Sequence, residues 1–431
     1  MLLDYQQNLG ISGFQGDKRI GGGPAMIKKI AVGQLKPGMF IHDLDCGWMD
    51  HPFLRNSFKI SDDAEIRKIA DHGLREVYID TEQGLDASEA KSEAEVRAEL
   101  HQEMIEAVQV QPAPRHEIPL RDELIKAAKV QGEANRIVHG IMHDIRLGKQ
   151  IKVEQLNPTV EQMADSIFRN KDALLNLCRI KQKDDYTFQH SVSICALMIA
   201  FCRALEHDQS VIRLAGVGGL LHDVGKMKVP SAILNKPGKL TEKEFATMKS
   251  HVAHSCEILE QTPGISQISM DIAAQHHERI DGTGYPLGLK EDKISLYGQM
   301  SAIVDVYDAL TSDRCYHKGM QPTDALRKLF EWSKFHFNEK LVHALVRCIG
   351  IYPVGTLVRL ESGLLAVVVE QHHNLLQPRV RAFFDTYRDH TVPPLDIDLS
   401  RPVGHGGGDR IVRQESPAEW DIDPQVYLQV H

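Results

Sequence analysis

The chain of 431 residues contains no uninterrupted apolar run near the ~20 residues that a bilayer-spanning helix needs, which argues against membrane insertion. It contains no CxxC pair. Its seven cysteines, at positions 46, 178, 195, 202, 256, 315 and 348, fall mostly within apolar helical patterns and read as buried free thiols in a reducing compartment. There is no surplus of positive charge: a formal net charge of −9 disfavours broad nucleic-acid binding, while leaving room for a small anionic ligand held by a few local cations. The first residues include Asp4 and lack the apolar core of a secretory leader. What remains is an ordinary globular balance of 42% hydrophobic and 25% charged residues, with length for two or three domains and a cytoplasmic location expected.

Residues 1–25 are polar and glycine-rich (Gly21-Gly22-Gly23-Pro24) and read as a flexible leader, with Met26 an alternative start. Residues 26–110 read as a small α/β domain. Short strands are expected at 27–32, 39–44, 53–60 and 76–80, with a helix over 62–72 capped by Ser61 and ended by Gly73, in a βαβ-like arrangement. A charged helical segment at 93–110 breaks at Gln111-Pro112-Ala113-Pro114, and residues 111–157 form a linker and entry helices. Two long helical patterns at 120–147 and 158–180 lead into an all-helical domain spanning 158–350. After Gly350 the periodicity shifts towards two, predicting strands at 356–360, 364–370 and 378–384. Residues 351–431 are thus a β-rich appendage with a loose tail beyond Ser400. The fold class expected is mainly α, with a small α/β domain before the helices and a β appendage after them.

Within the helical domain, His222-Asp223 follows the apolar run 214–221 and precedes Val224-Gly225-Lys226. A carboxylate beside an imidazole can bridge two metal ions, and a lysine three residues on can receive a phosphate oxygen. His-Asp dipeptides are common, and most are surface or capping residues; here the pair has company. His190 shares a helical face with Ile194, Leu197, Met198 and Phe201 and points inward, which alone suits a hydrogen-bonded core histidine as well as a ligand. His251 follows the capping-box pattern Thr241-x-x-Glu244, with His254 nearby as a structural residue. His276 and His277 are adjacent, so both can face one point only where their helix ends. Asp305 lies in the apolar run 302–307, where an ionised carboxylate is costly without a cation, whereas Asp308 and Asp313 stand in more polar surroundings suited to hydrogen bonding or capping. In the loop 281–286, Gly282 and Gly284 permit close backbone approach, and Tyr285 offers a ring or a hydroxyl.

These elements occur in an order that resembles the HD-GYP family, metal-dependent phosphodiesterases that open cyclic di-GMP. The resemblance runs from about residue 184 to 318: Tyr186-Thr187 and His190, His222-Asp223-Val224-Gly225-Lys226, His251, His276-His277-Glu278-Arg279, Asp281-Gly282-Thr283-Gly284-Tyr285-Pro286, then Asp305 and Asp308-Ala309-Leu310-Thr311-Ser312-Asp313-Arg314. It implies two divalent metal ions, iron or manganese best suited to nitrogen and carboxylate ligands without thiolate. One is held by His190, His222, Asp223 and Asp305, the other by Asp223, His251, His276 and His277. A shared water would be aimed at phosphorus by ions ~3.5–4 Å apart. A third metal is not expected, because Tyr186 stands one turn before His190, where some family members carry a glutamate. The resemblance gives Asp223 and Lys226 catalytic roles and assigns Lys226, Tyr285, Arg314 and Lys318 to substrate binding; His317 follows Tyr316 where most members have a basic residue.

Residues 26–80 resemble the small uncharacterised domain often found before HD-GYP domains, through Leu35-Lys36-Pro37-Gly38-Met39 and Val77-Tyr78-Ile79-Asp80. The expected partner is cyclic di-GMP, opened to pGpG with GMP as a further product; signalling proteins and a second copy in a homodimer are compatible with the flanking domains. Two competing readings are a non-catalytic cyclic di-GMP sensor or scaffold and an HD hydrolase of another nucleotide. The retained ligand set disfavours the first and the intact Gly284-Tyr285-Pro286 loop the second.

Overall fold

The computed structural model describes residues 26–46, 57–109, 118–179, 181, 186–236, 238, 240–312, 319–372, 374–403 and 407–428. The chain divides into two compact units, Met1–Glu99 and Leu100–His431. The expected leader, residues 1–25, lies outside the described residues.

The first unit is a five-stranded sheet of β1 (Ile27–Ala31), β2 (Phe40–Asp43), β3 (Phe58–Lys59), β4 (Glu76–Asp80) and β5 (Lys91–Ser92), in the order β3-β2-β4-β1-β5. Every pairing is antiparallel, including β1 with β4 and β2 with β4, so the βαβ-like expectation is corrected. Alternating hydrophobicity marks a strand's faces but carries no direction. Helix α1 (Asp63–Asp71) packs Ile69 into a core with Ile30, Ile41, Ile60, Val77 and Ile79. Its N-cap is Asp62, not Ser61: the Asp62 carboxylate accepts from the backbone N–H groups of Ala64 and Glu65, while the Ser61 N–H donates to Glu65 at 2.7 Å. Of the strand expected at 53–60, Phe58–Lys59 is formed and 53–56 lies outside the described residues.

Helix α2 (Glu93–Gln109) carries the boundary between the units, which therefore falls inside a helix rather than at the proline-containing break. The second unit continues with α3 (Leu120–Arg146) and α4 (Asn157–Arg179), whose backbone is interrupted at Asn170 (φ −157°, ψ 102°). Next come α5 (Tyr186–Ala204), α6 (Gln209–Leu221), a 3-10 segment Val224–Lys228, α7 (Ser231–Leu234), α8 (Glu242–Glu260), α9 (Gln267–Gln275), α10 (Leu296–Thr311), α11 (Pro322–Ser333) and α12 (Glu339–Ile349). Helix α5 is buried continuously from His190 to Cys202, which marks it as the central helix of the unit. Gly219 lets α6 lie directly on it: a Cβ there would stand 2.9 Å from the Cα of Cys195. No helix among the described residues is long and apolar enough to cross a membrane.

The C-terminal sheet has the order β10-β6-β7-β8-β9, with β6 (Leu357–Leu360), β7 (Leu364–Glu370), β8 (Arg379–Asp385), β9 (His390–Asp398) and β10 (Ile411–Gln414). The tail beyond Ser400, expected to be loose, supplies β10, which pairs antiparallel with β6. Trp420, Ile422, Tyr427 and Leu428 then pack on the Leu357, Leu365, Val367, Phe383 and Phe384 cluster, and the apolar burial offsets the cost of ordering this segment.

Candidate metal centre

Local chain geometry aims each candidate ligand inward. Helix α6 stops at Leu221, so His222 occupies its C-cap and Asp223 is the N-cap of the 3-10 segment. Gly225 is required there because a Cβ would lie 2.0 Å from the His251 carbonyl oxygen and 2.4 Å from the Ser255 backbone nitrogen of α8. Helix α8 begins with the expected capping box, Thr241 accepting from the Glu244 N–H at 3.3 Å and Glu244 from the Thr241 N–H at 2.7 Å. Helix α9 ends at Gln275, which frees His276 and His277 from helical spacing and brings their ring centroids to 4.1 Å.

All seven sequence-predicted ligands converge and are buried. His190 Nε2 lies 3.2 Å from His222 Nε2, 3.1 Å from Asp305 Oδ1 and 3.4 Å from Asp223 Oδ2. On the other side, His251 Nε2 lies 3.4 Å from His276 Nε2, and the two stand 3.2 and 3.8 Å from Asp223 Oδ1. His277 Nδ1 is 3.8 Å from Asp305 Oδ2, and His251, His276 and His277 form a group whose ligand atoms all lie within 4.8 Å of one another. His254 instead faces the Glu257 carboxylate at 3.5 Å.

Hydrogen bonding fixes which imidazole nitrogens carry lone pairs. The Nδ1–H groups of His222, His251 and His276 donate to the carbonyls of Gly219, Met248 and Ala273 at 2.8, 2.7 and 3.0 Å, leaving Nε2 of each as an acceptor aimed at the centre. Asp223 Oδ1 is buried without a hydrogen-bond donor. Two facing lone pairs and an unsatisfied carboxylate oxygen repel one another unless a cation lies among them, so the donor set fits divalent metal binding.

The protonation preferences follow the same geometry. Burial disfavours the charged form of His276 and, with His222 close by, lowers its pKa to about 3; burial and His276 likewise hold His277 well below the usual range, so both rings are neutral at physiological pH, as metal binding would require. Burial opposes ionisation of Asp223, but Lys226 and His222 outweigh it and keep the carboxyl well below its ordinary pKa. Asp305 is ionised against the same penalty by hydrogen bonding to His190. For His190, burial is overcome by Asp223, Asp305 and Asp308, which push its pKa up to about 10; a metal at this nitrogen would displace a proton.

Residues 27–156 match a family described as a domain of unknown function (DUF3391), and residues 164–341 match the HD domain family. A cyclic di-GMP phosphodiesterase of Pseudomonas aeruginosa is 42% identical over 399 residues, covering 92% of this chain and 94% of the relative. The chain belongs to the HD-GYP family. Shorter stretches of this HD-GYP protein resemble the 3'3'-cGAMP-specific phosphodiesterase 2 of Vibrio cholerae, 42% identical over 34% of the chain and 29% of the relative. A cyclic di-GMP phosphodiesterase of Thermotoga maritima is 30% identical over 53% of the chain and 63% of the relative.

The loop that gives the HD-GYP family half its name is tied to the centre. Tyr285 stacks on His277, with ring centroids 4.6 Å apart, and donates its backbone N–H to the His277 carbonyl at 3.1 Å. The Lys249 ammonium lies 4.7 Å from the Tyr285 ring centroid. Gly284 is sterically required, since a Cβ would meet the Arg279 backbone nitrogen at 2.4 Å. Glu278, a residue that sequence reasoning left without a role, is buried and accepts from the backbone N–H groups of Leu287 and Leu289 at 2.8 and 2.9 Å, which clamps the loop.

Lys226 pairs with Asp223 Oδ2 and keeps its side chain about one-fifth exposed, so it joins the centre to solvent. Arg314 and Lys318 lie outside the described residues. Asp308 makes a hydrogen bond, as expected, but from buried rather than polar surroundings: it accepts from His190 Nδ1 at 2.7 Å and pairs with Lys181, a partner that sequence reasoning missed. Both signals were weak in the chain, because their meaning depends on a contact across more than a hundred residues.

Proposed function

We propose that this HD-GYP protein hydrolyses cyclic di-GMP to linear pGpG, with GMP as a further product, using two iron or manganese ions. The observation that carries this reading is the pair of imidazole nitrogen sets lying on the two oxygens of a single buried carboxylate, Asp223. His190, His222, Asp223 and Asp305 would hold one ion, and Asp223, His251, His276 and His277 the other. Such a pair of ions supplies an acidified water and neutralises charge on the scissile phosphate.

The chain's own residues supply the rest. The burial of His222, Asp223 and His276 keeps bulk water from competing for the ligands. Lys226, on the solvent side of Asp223, is placed to receive a phosphate oxygen and to stabilise charge that grows there in the transition state. Tyr285 presents its loop beside His277 as a contact for guanine or phosphate, and Arg314 and Lys318 are proposed as further phosphate cations. The P. aeruginosa relative, matched over nearly its whole length and named for cyclic di-GMP, supports this substrate over 3'3'-cGAMP.

The test is anaerobic reconstitution of metal-free protein with Fe(II) and, separately, Mn(II), followed by chromatography of products from cyclic di-GMP and 3'3'-cGAMP. Release of pGpG with either ion is expected. Untouched cyclic di-GMP under both conditions, with metal bound, would leave the sensor reading in its place. Turnover of 3'3'-cGAMP alone would move the substrate assignment.

A further inference from the structure

We infer that Lys181 and Asp308 are positioning residues that make the two metal positions unequal, strengthening the one that contains His190. The inference rests on the proposed metal pair and concerns residues outside it. Among the four imidazoles whose nitrogens face one another across the centre, three are oriented from behind by the backbone carbonyl three residues earlier in the chain: Gly219, Met248 and Ala273. His190 alone among those four is oriented by a carboxylate, Asp308 Oδ2, at 2.7 Å from its Nδ1. A carboxylate is a stronger acceptor than an amide carbonyl. It fixes the tautomer and makes the opposite nitrogen a better metal donor.

That carboxylate is itself held. Asp308 is 3% exposed and shares the neighbourhood of His190 with Asp223 and Asp305, so a third negative charge there requires a partner. The Lys181 ammonium, its side chain 2% exposed, pairs with Asp308 Oδ2 and donates to Ser312 Oγ at 2.7 Å. Ser312 in turn donates to the Asp308 carbonyl at 2.6 Å, and the Tyr186 ring stacks on His190 with planes 8° apart. A chain of contacts therefore runs from a lysine outside the ligand set, through Asp308, to the back of one ligand. Without Lys181, the Asp308 carboxylate loses the cation that pins it against Nδ1. The His190 ring then loses the acceptor that holds its orientation and turns its lone pair towards the centre.

The inference makes an unusual forecast: a second substitution should repair the first. Full-length Lys181→Met, Asp308→Asn and the double variant would be stripped of metal and titrated with Mn(II), following bound ions per chain, with the thermal transition of the metal-free proteins as a control for folding. Wild type is expected to bind two ions. Lys181→Met should weaken one of them about 10- to 100-fold, the range typical for loss of a partner behind a metal-bound histidine, and leave the other unchanged. The double variant should recover part of that loss, because the uncharged amide introduced by Asp308→Asn can accept from Nδ1 without needing a cation. Two ions of unchanged affinity in Lys181→Met, equal weakening of both ions, or a double variant worse than Lys181→Met would each overturn the inference. A wild type that binds no Mn(II) would instead overturn the proposed metal pair.

Discussion

Two regions of this molecule bury charge, and they do so in opposite ways. In the N-terminal sheet the Lys29 ammonium lies 3.0 Å from the Asp45 carboxylate and 2.9 Å from Glu76, while Lys28 meets Asp86 at 2.7 Å. Each of these cations finds its counter-ion within the fold. Around the metal centre of the helical unit the balance differs: Asp223 Oδ1 has no hydrogen-bond donor, and the Nε2 lone pairs of His251 and His276 face each other at 3.4 Å. Matched charge holds a structure together, whereas an unmatched set of acceptors marks a place prepared for something the chain does not contain.

The comparison is broken most severely by Asp223→Asn, which removes the one charge lying between both imidazole sets. Bound metal should fall below two ions per chain, and turnover of cyclic di-GMP should drop by about 10³-fold or more; metal analysis and steady-state kinetics on one preparation check both. Full metal with normal turnover would refute the shared-carboxylate assignment. Lys226→Ala should do less: metal content stays at the wild-type level while kcat/KM falls about 10²-fold, reflecting a phosphate contact rather than a ligand. Metal loss equal to that in Asp223→Asn would make Lys226 structural.

Gly225→Ala sharpens the contrast through packing. The added methyl meets backbone atoms of α8 that cannot swing aside, so a stability loss of about 1–3 kcal/mol is expected in urea unfolding, with weakened metal binding on the His251 side. Removing metal with a chelator should lower stability by about 3 kcal/mol per ion, about 5 kcal/mol for the pair, relative to protein at a hundredfold excess over the dissociation constants, restored on adding Mn(II). The smallest effect on catalysis belongs to Lys29→Met. It leaves Asp45 buried without that cation and should weaken the N-terminal unit by about 3 kcal/mol, read from its own unfolding transition. Cyclic di-GMP hydrolysis should be unchanged, and a parallel loss of activity would contradict the separation of matched from unmatched charge.

The candidate ligands were legible because most belong to a short motif whose local geometry already aims them: a helix end at His222, another at His276, an apolar run around Asp305. Asp308 and Lys181 were not, since their roles depend on α10 meeting the residue that precedes α5, and nothing in either segment announces that contact. Central helices and strands were read to within a residue or two, as at β4 and β7, where a short continuous run of apolar and β-branched residues marks a buried strand. Strand β9 was missed because it contains Pro393 and Pro394 and exposes most of its residues, the signature of an edge that propensity does not recognise. Strand β10 was missed for a different reason: it is short and follows a glycine-rich stretch, and its stability comes from β6 and the Trp420 cluster rather than from its own sequence.

That late strand has a consequence for how the protein is made. Residues leave the ribosome in order, at roughly 5–20 per second, so β6 emerges before the segment that will cover it. Until β10 arrives, Val358, Arg359 and Leu360 stand on an open sheet edge able to pair with another nascent copy. That edge closes only after every catalytic helix has been made, and a message ending near Ser400 would release a chain whose catalytic helices are all present but whose last sheet stays open to aggregation.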